Sequence, residues 1–205
     1  MEKELENQSI PPQKIGEQMD VVEKRSFDNE LEAIDFFELV KHRLLNVNRW
    51  SALAGSALSN FQLTNSYGNV VDRLVQEGDY LRIDIPGPGS SAGDGYDWVT
   101  VEKIEENSEA GMEALNLRVR PSANPLSNNR DTAHFLTEQA TSTFQVKRIG
   151  KNIYASEHGR NELANTYNLN TADNIRNMLI GWAAMLGFSY PQWKALVRGL
   201  LADPV

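Results

Sequence analysis

Apolar and polar positions along the chain change period twice. Residues 1–25 are polar, with Pro11-Pro12 and only Ile10, Ile15, Met19, Val21 and Val22 as anchors, which predicts a flexible tail ahead of a single domain over 26–205. From residue 26 the period is helical. Ser26 or Asp28 offers an N-cap, Glu30 and Glu32 suit the positive end of a helix dipole, and Leu31, Ile34, Phe37, Val40 and Leu44 recur at spacings of three and four. An amphipathic helix to about Leu45 is expected. A short helix or irregular crossing follows over Asn48 to Leu58, closing a helical region over 26–58.

From Asn60 the period falls to two. Strands are expected over Phe61–Leu63, Val70–Val75, Tyr80–Ile85, Trp98–Ile104, Leu115–Arg120, Thr143–Ile149 and Ile153–His158, with Gly150-Lys151-Asn152 as a hairpin turn. Short strands separated by turn signals over 59–158 predict a strongly curved antiparallel sheet of about six to seven strands, as a barrel or half-barrel. After Asn165 the helical period returns over 170–202. Ile175, Met178, Leu179, Trp182, Met185 and Leu186 share one face and Gly187 ends it. Ser189 then opens a last helix with Trp193, Leu196, Val197, Leu200 and Leu201 as its apolar stripe. The fold class is α+β: one N-terminal helix, the sheet, and two C-terminal helices. In architecture alone this order resembles helix-grip folds, which enclose apolar ligands between sheet and helix.

Composition narrows the function classes. The 205 residues are 40% apolar and carry a net charge of −8, with no cysteine. A chain this long can bury a core unaided, and disulfides and thiolate metal sites are excluded. The acidic balance, with no run of basic residues, argues against nucleic acid as a partner. No apolar run approaches the roughly 18 residues of a membrane span. The start lacks the apolar stretch of a secretory signal, so a cytoplasmic location is the expectation.

Candidate chemistry sits at the rim of the expected sheet. The loop Gly87–Asp97 holds four glycines and two aspartates, and Gly93-Asp94-Gly95-Tyr96-Asp97 has the spacing of half a calcium-binding β-roll repeat. A single copy lacks the neighbouring turns that supply the other ligands, so no metal or cofactor is expected. The reading kept for this loop is a mobile rim segment. Arg118 and Arg120, two apart on one strand, are able to clamp an anion or pair with Glu102 and Asp84. His158-Gly159-Arg160-Asn161-Glu162 is the densest polar cluster, in which His158 suits a general base oriented by Glu157 or Glu162. No nucleophile elbow completes a serine triad. His134, before Phe135 and Leu136, reads as a half-buried packing histidine.

The leading expectation is a binding or protein-interaction module without catalytic machinery, whose candidate ligand site is Asp94, Tyr96, Asp97, Trp98, Arg118, Arg120, His158, Arg160 and Asn161. Two alternatives stand beside it. One is a carrier or enzyme for a small anionic or apolar ligand, with His158 as base and Arg118/Arg120 as anion clamp. The other is a subunit of a larger assembly or a homodimer, docking through Trp182, Met185 and Trp193 on the C-terminal helices.

Overall fold

The computed structural model describes residues 9–55, 59–85, 90–166 and 189–204. Seven antiparallel strands form one sheet: β1 (Glu17–Ser26), β2 (Asn60–Thr64), β3 (Tyr80–Asp84), β4 (Asp97–Glu109), β5 (Met112–Pro121), β6 (Thr141–Ile149) and β7 (Asn152–Glu162). Their order is β1-β7-β6-β5-β4-β3-β2. Every step from β2 to β7 joins sequence neighbours, and only β1 comes from a distance. The closed-barrel alternative is therefore excluded: β1 and β2 are the edges, and no pairing joins them among the described residues.

β1 corrects the expected tail. Residues 17–25 pair along β7 from Glu17↔Glu162 to Arg25↔Ile153. Its residues look like a tail because an edge strand buries little: Val21 is buried and Val22 stays exposed. The expected strand Val70–Val75 also fails. Only Val70 forms an isolated bridge, to Thr64, and the segment runs on without a ladder. The hairpin at Gly150-Lys151 is as expected, with Gly150 at φ 55°.

Helix α1 (Glu30–Leu45) starts after neither expected cap, Ser26 or Asp28. Asn29 is its N-cap, and its side-chain oxygen accepts from the Glu32 amide at 2.9 Å. Its buried face is Ala33, Phe36, Phe37, Val40 and Leu44, while Leu31 is exposed. A 3₁₀ turn (Val47–Arg49) and the short α2 (Trp50–Leu53) follow. Residues 189–200 form a C-terminal helix whose Leu196, Val197, Leu200 and Leu201 are buried, as the apolar stripe predicts. The helix expected around Trp182 lies outside the described residues.

α1, α2 and the C-terminal helix share their core with one face of the sheet. The faces are assigned by register: Val101, Val119, Ser142 and Gly159 form one row of the inner face, and Leu117, Phe144, Glu157 and Val21 form the next. Arg118, Thr143, His158 and Asp20 form a row of the outer face. Arg25 and Arg43 donate to the last carbonyls of the C-terminal helix, at Leu201, Leu200 and Ala202. Gly199 lies on Leu53, where no side chain fits: a Cβ would stand 2.0 Å from the Leu53 carbonyl oxygen.

Candidate functional site

A cavity of about 280 Å³ lies between the inner face of the sheet and the helices. Leu81 and Ile83 of β3, Val99 of β4 and Val119 of β5 form its apolar floor. Four aromatic rings wall one end. Trp50 packs on Phe144 at 4.7 Å and on Phe61 at 5.5 Å between ring centroids. Trp193 closes the group, 5.1 Å from Phe144 and 5.9 Å from Phe61. The Trp50 indole N–H donates to the Leu44 carbonyl, which fixes its ring. Trp193, expected at an interface, thus faces inward. Trp182 and Met185 lie outside the described residues.

Two ionisable groups line the cavity among the described residues, His134 and Glu162. His134 is buried and stacked on Phe135, and its Nδ1 accepts from the Leu136 amide at 3.0 Å. The ring proton is therefore on Nε2, and burial pushes the pKa down to about 3, so the ring is neutral.

Glu162 is 4% exposed and its carboxyl has no hydrogen-bond or ion-pair partner among the described residues. Burial raises its pKa to about 7; the charge of Arg160 opposes the rise and that of Glu17 adds to it. Its place on the wall comes from a bulge. From Met19↔Gly159 to Glu17↔Glu162, β7 uses one residue more than β1. Asn161 absorbs it in the left-handed region, at φ 57°. Strict alternation would put Glu162 outside with His158 and Arg160; the bulge turns it in. Gly159 leaves room for the carboxyl, since a Cβ there would lie 2.7 Å from Glu162 Oε1.

A second carboxyl stands behind the wall. Glu157 is fully buried between Phe144 and Val21. Burial first, and the charge of Glu162 next, raise its pKa well above the usual range. The Ser142 hydroxyl approaches closely enough to favour the ionised form, yet neither carboxyl oxygen has a partner of regular hydrogen-bond geometry. Asp97 is also buried, and burial raises its pKa to about 7 against backbone hydrogen bonds from Phe135 and Ser90.

The rim residues expected to bind a ligand are placed elsewhere. Asp97 pins residues 90 and 135, and Trp98 donates to the Gly93 carbonyl. Asp94 accepts from Asn124, and Tyr96 lies under the Arg82 guanidinium. These contacts hold residues 90–97 of the expected mobile loop; its residues 87–89 lie outside the described ones. Arg118 and Arg120 both grip Glu102, at 2.7 and 3.0 Å, so the expected Glu102 pairing forms and the anion clamp is already filled. Burial opposes it, but these two arginines hold the Glu102 pKa below the usual range.

His158 and Arg160 bind Asp20 of β1, at 2.5 and 2.7 Å, instead of Glu157 or Glu162. His158 Nε2 also lies 3.0 Å from the Ser156 hydroxyl, making an Asp-His-Ser chain. Ser156 is buried on a central strand, flanked by β1 and β6. Asn161 anchors residues 12–15: its Oδ1 accepts from the Lys14 and Ile15 amides and its Nδ2 donates to the Pro12 carbonyl. The structure therefore gathers Arg118, Arg120, His158 and Arg160 on the outer face, across the sheet from the cavity. Among the described residues no group of three His, Asp or Glu side chains is placed to hold a metal ion. No helix among them is long and apolar enough to cross a membrane.

No family model and no curated protein sequence matches this chain. Looser likenesses exist among solved structures. A truncated norcoclaurine synthase from Thalictrum flavum aligns at 10% identity and TM-score 0.39, over 95% of this chain and 100% of that one. A protein from Arthrobacter aurescens aligns at 10% identity and TM-score 0.41, over 90% and 86%. The ZhuI aromatase/cyclase from Streptomyces sp. R1128 aligns at 12% identity and TM-score 0.37, over 90% and 94%. Overlaps this loose carry no argument about the chemistry of this chain.

Proposed function

We propose that the protein is a non-catalytic binding module that takes a small, mainly apolar ligand between sheet and helices. The observation that carries this reading is the cavity of about 280 Å³, floored by aliphatic side chains and walled at one end by the Trp50, Phe61, Phe144 and Trp193 rings. An apolar cavity of about 150 Å³ holds a benzene ring, so this one suits roughly two fused rings. A tightly packed core leaves few voids larger than a water molecule, and a void of this size costs stability unless something fills it.

Indole is a suitable neutral probe, followed by calorimetry and by thermal unfolding at millimolar concentration. Saturable binding that raises the melting temperature is expected. Val119→Phe, which puts a ring on the cavity floor, should abolish it while the variant stays folded. No saturable binding, or equal binding by the Val119→Phe variant, refutes the cavity as the site.

A further inference from the structure

We infer that the ligand is an amine: an apolar ring system whose ammonium group docks on the Glu162 carboxylate at the β7 end of the cavity. This rests on the cavity being the binding site and adds the charge of what it takes. Three observations point to it.

First, Glu162 is a buried carboxyl facing the cavity with no partner of its own among the described residues. Buried polar groups are ordinarily paired, and an orphan on a cavity wall is a place where a ligand atom completes the pairing. Second, no Lys or Arg lines the cavity among the described residues. A ligand carboxylate or phosphate would meet Glu162 with no cation from the described lining to offset the repulsion, so the anionic ligand is disfavoured. Third, Glu157 stands behind the wall, fully buried and without a regular hydrogen bond, and its charge interacts with that of Glu162. Two buried carboxyls close together are relieved by one cation placed between them and the cavity. Gly159 keeps the space over Glu162 clear, and neutral His134 adds no competing positive charge.

The groups that face Glu162 fix how pH acts on docking. Glu157 and Arg160 lie on its own strand, Glu17 is its partner on β1, and His134 lies on the same cavity wall. The charge of Asp20, on the outer face of β1, also reaches Glu157. Burial raises the Glu162 pKa to about 7. Docking an ammonium ion requires the ionised carboxylate, so binding below that pH releases a proton and weakens as the pH falls.

Three probes of one shape and different charge test this: tryptamine, tryptophol and indole-3-acetate, titrated calorimetrically at pH 7.5. Tryptamine should bind about tenfold tighter than tryptophol, as a charge-assisted hydrogen bond predicts, and indole-3-acetate should bind most weakly. Glu162→Gln should erase the preference for tryptamine over tryptophol. Gly159→Ala, which crowds the carboxyl without removing it, should reduce the preference. Tryptamine affinity should fall between pH 7.5 and pH 5.5, with proton release seen as a buffer-dependent heat, while tryptophol affinity does not. If tryptophol binds and tryptamine binds no tighter, the amine inference fails and the cavity reading stands. Survival of the preference in Glu162→Gln also overturns the inference. Binding of none of the three overturns both readings.

Discussion

Replacing Glu162 by glutamine should change how stability depends on pH. In the folded chain burial moves the Glu162 carboxyl from its ordinary 4.5 to about 7. An acid with a raised native pKa holds an extra proton in the native state between the two values. Its contribution to stability is complete below 4.5 and is lost as the pH rises through 7. At 1.36 kcal/mol per pH unit the full difference is ~3 kcal/mol, and partial hydration through the cavity brings it to about 2 to 3 kcal/mol. Glutamine cannot ionise. Urea unfolding of both proteins at pH 5, 6, 7 and 8 should therefore show the variant gaining on the parent by about 2 kcal/mol or more from pH 5 to pH 8. Asp97 and Glu157 titrate in both proteins and largely cancel in the difference, apart from the coupling of Glu157 to Glu162. Two parallel profiles would show that Glu162 is solvated in the native state and would refute the reasoning.

Other substitutions separate the two faces of the sheet. Replacing both Arg118 and Arg120 by alanine should leave indole affinity unchanged, because they bind Glu102 on the outer face; a tenfold loss in calorimetry would contradict the site assignment. Asn161→Ala should cost about 2 to 3 kcal/mol in urea unfolding, from lost hydrogen bonds and a strained left-handed backbone. Asn161→Gly relieves the strain alone and should fall between the two, and both variants should expose residues 12–15 to limited proteolysis. Gly199→Ala should destabilise by about 2 kcal/mol or more, since the gain in helix propensity of ~1 kcal/mol does not offset a methyl group driven into the Leu53 carbonyl; unchanged thermal unfolding would refute the close approach.

The amino-acid sequence determined the elements wherever a buried face repeats locally. Phe37, Val40 and Leu44 at helical spacing, the alternation through β3 to β7, the Gly150-Lys151 turn and the Leu196–Leu201 stripe are each written in neighbouring residues. β1 is not, because its place depends on hydrogen bonds to β7, more than 120 residues away, and an edge strand carries little apolar signal of its own. The site shows the same division. Composition placed His158, Arg160, Asn161 and Glu162 in one polar cluster, and strict alternation puts His158, Arg160 and Glu162 on one face. The left-handed residue at Asn161 breaks that period, leaving His158 and Arg160 outside on Asp20 and turning Glu162 into the cavity. The cavity itself has no local signature, since its walls are apolar positions that read as ordinary core. Only the tertiary structure decides which of them meet and where they leave space, because a void is set by side chains from distant parts of the chain failing to touch.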